Sequence, residues 1–276
     1  MKGKICLITG ASSGIGKAAA LGLAKMGATI VMAGRDRART EGARDEVIRK
    51  SGNHGVEITL CDLSSQAEIR RLAAEFQARY PKLDVLINNA AIIPATRSLT
   101  SEGVEVQFAA NHLAYFFLAG LLLDPLKAAA PSRIVNVSSG MHFRARLDFE
   151  NLQAEKNYRP MAHYALTKLL NILFTYELAR RLNGSGVTAN TLSPGFTATN
   201  LGRDFSAFSR FVMRRMAKKP EKGAAIVLYL ASSPEVAGTT GRYFQGGKEA
   251  KSSAVTYDRE NARRLWEFSE KMTQNI

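Results

Sequence analysis

The apolar run Lys4-Ile5-Cys6-Leu7-Ile8-Thr9 breaks at once into Gly10-Ala11-Ser12-Ser13-Gly14-Ile15-Gly16, and an Ala/Leu-rich stretch follows to Met26. A short apolar run bounded by glycine predicts a buried strand, and the Ala/Leu-rich stretch predicts a helix. The order is therefore strand, glycine turn, helix. Glycine lets the backbone turn tightly and approach a ligand, while the start of a helix offers unpaired amides and a positive dipole end to an anion. Gly10, Ser12, Ser13, Gly14, Ile15 and Gly16 thus form a candidate pyrophosphate cradle, the alternative being a purely structural turn. The spacing is G-x-x-x-G-x-G rather than G-x-G-x-x-G, so the physics of the dinucleotide fingerprint transfers and its pattern does not.

Strands and helices keep alternating beyond it. A strand over Ala28 to Ala33 ends in Gly34-Arg35-Asp36, a helix runs from Ala38 to Lys50, and a strand over Val56 to Cys61 ends in Asp62-Leu63. A helix over Gln66 to Arg79 leads to the strand Leu83 to Asn88 with Asn89-Ala90-Ala91 behind it, and a helix over Glu102 to Leu123 leads to Arg133 to Ser139. This alternation predicts one α/β domain, a doubly wound parallel sheet with helices on both faces, whose ligands bind outside the carboxyl ends of the strands. Asp62, Asn88 and Ser139 fall there. At the tip of the second strand, an acidic residue bonds the adenosine ribose and repels a 2′-phosphate, whereas a small residue followed by Arg admits that phosphate. Arg35 therefore favours NADP(H) over NAD(H), unless it is one more surface charge or is neutralised by Asp36.

Further on stands Tyr164-Ala165-Leu166-Thr167-Lys168. Tyrosine and lysine four residues apart share one helix face, so an ammonium can sit near a phenol. A fixed positive charge favours phenolate and brings the group closer to working pH as a general acid or base. Alone, such a pair is commonly a solvated helix face.

Together, Thr9 to Gly16, Asn88-Asn89-Ala90-Ala91, Asn111, Ser139, Tyr164-x-x-x-Lys168 and Pro194-Gly195 resemble the short-chain dehydrogenase/reductase family over residues 1–245. The stretch Arg133 to Gly195, especially Asn151 to Lys156 and Lys168 to Phe174, looks most like its retinol dehydrogenase branch. The resemblance implies a Rossmann-like domain and hydride transfer to or from a carbonyl. It assigns Tyr164 as proton donor, Lys168 as the residue that lowers the tyrosine pKa and holds the nicotinamide ribose, and Ser139 as the hydroxyl that holds the substrate oxygen, with Ser138 the alternative by register. It gives Asn111 the anchoring of a relay water, against a buried asparagine that satisfies local backbone. It further implies adenine contacts at Asp62 and Leu63, a ribose edge at Asn88 and Ala90, and closure over the nicotinamide by Pro194, Gly195 and Thr197. Two departures stand out. Ala91 replaces a common glycine, and the 25-residue step from Ser139 to Tyr164 is long for the family but typical of that branch. The inserted Met141 to Arg159 is expected to wall the pocket or cover a subunit interface, and His142 within it is given no role.

Composition narrows the partners. The net charge of +14 comes from Lys and Arg scattered along the chain, without a nucleic-acid motif or aromatic-interleaved basic stripe, so nucleic acid is not expected. No apolar run is long enough to span a membrane and no signal-peptide pattern precedes the first strand, which predicts a soluble, cytoplasmic chain. Two cysteines, Cys6 and Cys61, both placed in predicted strands, are too few for a disulfide framework or a metal cluster. The dense basic stretch Leu201 to Lys219, if helical, gathers Leu201, Phe205, Phe208, Val212 and Met216 into an arc of roughly 80° opposite Arg203, Arg210, Arg214 and Lys218. It reads either as a substrate lid or as a peripheral contact with an anionic membrane. The tail 248–276, with a helix over Arg259 to Lys271 carrying Trp266, is either a docking element or an interface, so monomer and homodimer both stand. The expected activity is NADP(H)-dependent interconversion of an apolar aldehyde or ketone and its alcohol. The rivals are carbon-carbon double-bond reduction of the protochlorophyllide reductase type and a non-catalytic NADP-binding sensor.

Overall fold

In the computed structural model, which describes residues 1–195 and 219–274, the glycine-broken run forms strand β1 (Ile5–Thr9) and helix α1 (Gly14–Lys25). The chain continues through β2 (Thr29–Gly34), α2 (Arg37–Ser51), β3 (Val56–Leu60), α3 (Gln66–Arg79), β4 (Val85–Asn88) and a helix over residues 106–121, α4, which contains a π turn at Ala109–Leu113. Then follow α5 (Leu123–Ala128), β5 (Ser132–Val137), α6 (Pro160–Arg181), β6 (Val187–Ser193), α7 (Pro220–Ser232), β7 (Tyr243–Gln245), β8 (Lys248–Glu249) and α8 (Arg259–Gln274).

The eight strands form one sheet in the order β3-β2-β1-β4-β5-β6-β7-β8, parallel except for the terminal β7–β8 pair. Because helices cover both faces, the inner strands are apolar on both sides, and alternation decides only which layer each residue joins. Cys6 and Ile8 of β1 pack with Leu23 of α1 and Val227 and Leu230 of α7, while Leu7 between them packs with Leu72 of α3, Leu118 of α4 and Phe174 of α6. Each such fully buried aliphatic side chain contributes roughly 1.5–3 kcal/mol. The chain reverses direction between β1 and β4, and the cleft over that switch point receives Gly10, Asn89, Ser139 and Pro194 from the ends of four strands.

Several boundaries differ from expectation by a residue or more, three of them in ways that matter for the site or the core. Glu102 lies in a turn, closed by bonds from Thr100 N to Val104 O and from Gly103 N to Thr100 O, and α4 begins only after Glu105. The Glu105 carboxylate is buried and caps that helix, accepting from the amides of Gln107 (2.9 Å) and Phe108 (2.6 Å). The second strand is displaced by one residue, to Thr29–Gly34. Cys61 sits just past β3 rather than in it; both cysteines are free and buried.

The tail docks on its own body. Trp266 of α8 stacks on Phe174 (6.0 Å, 29°), meets Phe116 edge-on (4.9 Å), and lies under the Arg181 guanidinium at 4.2 Å. Ala262 and Leu265 are buried against Leu169 and Leu173 of α6. The insertion joins the same layer, with Leu152 in that cluster and Arg264 over the Phe149 ring at 4.1 Å. No helix among the described residues is long and apolar enough to cross a membrane. Thr197 and, apart from Lys219, the basic stretch 201–219 lie outside the described residues.

Candidate active site

At the glycine turn, Gly10 has φ +65° and a Cβ there would stand 2.8 Å from Ala90 Cα. A Cβ on Gly16 would stand 2.5 Å from both Asn89 Nδ2 and the Gly10 carbonyl oxygen. Real Cβ atoms do not come that close, so side chains are excluded from both positions. Ser13 is the N-cap of α1 but gives its amides no side-chain bond, and no acidic residue stands in the first turn. By contrast α2 is capped by Asp36, which accepts from Arg39 N at 2.9 Å. The α1 terminus is thus left open to an external anion, and a side-chain-free cradle with an open helix end fits a dinucleotide pyrophosphate.

The cradle is held by a residue outside the expected set. Asn89 donates from Nδ2 to Thr9 O (2.9 Å) and Gly10 O (3.3 Å), and its amide donates to Thr9 Oγ1 (2.9 Å), as does that of Ala90 (3.1 Å). Strand alternation sends the two asparagines opposite ways. Asn88 turns inward, fully buried, and donates to Asn136 Oδ1 at 2.9 Å. The Asn-Asn doublet at a strand tip was the available signal.

At the ribose end, Arg35 follows β2 with its side chain 66% exposed, and its Nη1 stands 3.5 Å from Asp62 Oδ2. The acidic neighbour of Arg35 is Asp62, not Asp36, which is engaged in capping α2. Asp62 Oδ1 accepts from the amide (2.9 Å) and hydroxyl (2.7 Å) of Ser64. Burial pushes the Asp62 carboxyl up, but the Ser64 bonds and the Arg35 charge outweigh it and hold the pKa below the ordinary value. Leu63 beside it is half-buried.

At the other end, Pro160 opens α6, and α6 carries Tyr164 and Lys168 into the cleft. Tyr164 is 7% exposed and Lys168 1%. Burial pushes the phenol up to about 12, and the nearby Ser139 hydroxyl opposes that rise. Lys168 Nζ donates to Val137 O at 2.9 Å, lies 5.3 Å from the Tyr115 ring centre and 5.7 Å from that of Tyr164, and is pushed down by burial from 10.5 to about 7. In the protein alone, burial is the largest influence on each of the two groups. Desolvation acts on both groups and raises one while depressing the other's charge. Tyr115, also missed from sequence, completes the wall, its hydroxyl donating to Ala90 O at 2.9 Å. Of the two serines, Ser138 is buried and donates to Lys168 O at 2.7 Å, so Ser139 is the one beside Tyr164.

Asn111 lies in the π turn with its side chain fully committed to structure. Its Oδ1 accepts from Ile92 N (2.8 Å), and Nδ2 donates to Ile92 O (2.9 Å) and reaches Thr167 Oγ1 (3.3 Å). Its carbonyl accepts from Asn171 Nδ2 at 2.8 Å. Asn171 Oδ1 is 3.2 Å from His112 Nδ1, and His112 Nε2 is 3.1 Å from Ser269 Oγ of α8. Burial pushes His112 down to about 4, so this linker between α4, α6 and the tail is neutral at pH 7. Pro194 and Gly195 follow β6 at the same end of the sheet. No group of three potential metal ligands occurs among the described residues.

The family model described as short chain dehydrogenase matches residues 4–210. Retinol dehydrogenase 14 of Homo sapiens is 43% identical over 291 residues, covering 99% of this chain and 87% of that protein. Retinol dehydrogenase 13 of Homo sapiens is 42% identical over 279 residues, covering 98% and 84%. Among solved structures, an uncharacterised protein from Mycobacterium paratuberculosis matches with a TM-score of 0.80 at 33% identity over 99% of this chain and 94% of that one. The Pseudomonas aeruginosa RhlG/NADP active-site complex matches with a TM-score of 0.72 at 25% identity over 90% and 96%. By this family match and these relatives, the chain belongs to the retinol dehydrogenase branch of the short-chain dehydrogenase/reductase family and is a nicotinamide-dependent oxidoreductase acting on CH–OH or C=O groups.

Proposed function

We propose that the protein interconverts a lipophilic aldehyde or ketone and its alcohol with NADP(H). The observation that carries this is the buried Tyr164 phenol, one helical turn from the buried Lys168 and with the Ser139 hydroxyl beside it. Bound dinucleotide supplies the hydride; the chain supplies the rest. Gly10 to Gly16 hold the pyrophosphate, Arg35 pairs the 2′-phosphate, and Lys168 reaches the nicotinamide ribose. Ser139 holds the carbonyl oxygen beside Tyr164. A phenol at about 12 is fully protonated at pH 7, so in the reducing direction Tyr164 donates its proton to the oxygen as negative charge develops there. The phenolate left by that donation is stabilised by a charged Lys168, and in the oxidising direction it is this phenolate that takes the alcohol proton and becomes the phenol again. Asp62 next to Arg35 favours no phosphate by itself, yet Arg35 is exposed and long enough to turn from it.

An apolar substrate is supported by the relatives named for retinol and by two exposed apolar side chains near the chemistry. Phe143 follows Ser139 by four residues and Met161 precedes Tyr164 by three. The test is NADPH and NADH oxidation with a panel of lipophilic aldehydes and enones. Aldehyde reduction faster with NADPH is the expected result. Saturation of the enone carbon-carbon bond would make the protein a double-bond reductase, and cofactor binding without turnover of any member would make it a sensor.

A further inference from the structure

His142 is fully buried in the turn after β5, three residues beyond Ser139. Its Nε2 accepts from Ser253 N at 3.1 Å, which places the ring proton on Nδ1, and Nδ1 lies 2.7 Å from the Ser139 carbonyl oxygen. The same carbonyl accepts the backbone amide of His142 at 3.1 Å. Ser253 is a fixed donor: its neighbour Ser252 bonds Tyr176 of α6 (2.8 Å), Thr256 (2.7 Å) and Tyr257 (3.0 Å). The imidazole also packs against Tyr243 of β7 (5.0 Å, 64°) and Phe143 (4.0 Å). Burial holds its pKa below the ordinary value, in keeping with a neutral ring of one tautomer.

We propose that His142 is a positioning residue for Ser139: the Ser253 amide selects its Nδ1–H tautomer, and that N–H fixes the Ser139 peptide so that the Ser139 hydroxyl stays on Tyr164. The proposal rests on the catalytic reading of Ser139 and Tyr164. A hydroxyl that must hold the substrate oxygen tolerates little displacement, since an error of about 1 Å costs on the order of a hundredfold in rate. Within the turn the Ser139 hydroxyl accepts from Met141 N at 3.2 Å and the Ser139 carbonyl from the His142 amide at 3.1 Å. The imidazole adds a second, neutral donor to that carbonyl at 2.7 Å and ties it through Ser253 to the tail.

The two ring nitrogens can be separated by substitution. An asparagine amide overlays Nδ1 and can still donate to Ser139; a glutamine amide overlays Nε2 and can still accept from Ser253. His142→Gln should lower kcat about tenfold to a hundredfold, with KM for NADPH changed by less than about twofold, and His142→Asn should recover most of kcat despite a lower Tm. A His142→Gln enzyme with wild-type kcat, or an Asn variant no better than Gln, would overturn the proposal in favour of tail docking alone. Ser139→Ala measured beside them separates the two levels. If Ser139→Ala leaves kcat intact, the reading of the site fails; if it lowers kcat and His142→Gln does not, only the role of His142 fails. Should both His142 variants misfold, nitrogen-15 NMR of the wild-type imidazole decides, with Nδ1–H expected and an Nε2–H tautomer overturning the proposal.

Discussion

The two ends of the cleft are built on opposite physical principles. The end proposed for the adenosine presents backbone shape and exposed charge: a turn closed to side chains at Gly10 and Gly16, an open helix terminus, and an Arg35 side chain 66% exposed. The catalytic end works through burial, with Tyr164 and Lys168 at 7% and 1% exposure. Charge in water is screened, and an ion pair such as Arg35–Asp62 at 3.5 Å contributes at most about 1 kcal/mol. Charge out of water is expensive: moving Lys168 from 10.5 to about 7 corresponds to a cost on the order of 5 kcal/mol for keeping it charged. Substitutions at the first end should therefore act on cofactor affinity, and those at the second on rate and on pH-dependent stability.

The largest expected effect is that of Tyr164→Phe, which removes the proposed proton donor and little of the proposed cofactor site. Turnover should fall about a hundredfold to ten-thousandfold with NADPH affinity changed only a few-fold. Retention of more than about a hundredth of the wild-type rate would remove Tyr164 as principal donor. Lys168→Met should abolish most turnover as well, yet stabilise the cofactor-free protein at pH 7 by about 1 to 3 kcal/mol, because relief of the buried charge exceeds the lost bond to Val137 O. The pH dependence has a definite sign. With the folded pKa depressed to about 7, the unfolded chain binds more protons between that value and 10.5, so wild-type stability rises with pH across this window. Denaturant unfolding at pH 7 and pH 9 should show a gain of about 2 kcal/mol in the wild type that Lys168→Met lacks. A parallel response of the two proteins would mean that Lys168 is not desolvated.

How much of each end is legible in sequence follows from the same contrast. Glycine turns and strand tips are local: Gly10 to Gly16, Arg35 and Asp62 are recoverable because spacing along the chain dictates their geometry. The Tyr164–Lys168 pair is also local, on one face of α6, and is found for that reason. Their pKa values are not, since desolvation depends on Tyr115 and Val137, contributed by α4 and β5. Asn89 shows the intermediate case, where a doublet is visible but only strand alternation tells which member staples the turn. His142 and His112 lay beyond reach, each being defined by partners in the tail more than 100 residues away, Ser253 and Ser269. The tail itself was undecidable until Trp266 met Phe116 and Phe174.

Arg35→Ala probes the exposed end. A charge-assisted contact to a phosphate is worth roughly 1.5 to 3 kcal/mol, so NADPH should weaken about tenfold to a hundredfold while NADH changes little. Equal loss of both cofactors, measured by fluorescence titration, would place Arg35 outside the 2′-phosphate site.

The smallest effect separates the two acids around Arg35. Asp36 adjoins it in sequence, but its carboxylate accepts from Arg39 N at 2.9 Å at the start of α2. Asp62 lies distant in sequence and faces the guanidinium. Asp36→Ala should therefore cost about 1 kcal/mol of stability, the usual value of a helix cap, and leave the ratio of NADPH to NADH affinity unchanged. Asp62→Asn should do the reverse: keep the fold, because Asn can still accept from Ser64, and improve NADPH over NADH about twofold to fivefold by releasing Arg35 from a competing charge. That gain should shrink as salt rises, since both groups are partly exposed and the Debye length falls from about 10 Å at 0.1 M to about 3 Å at 1 M. If Asp36→Ala moves the cofactor ratio and Asp62→Asn does not, chain neighbourhood rather than spatial neighbourhood sets the charge at the ribose.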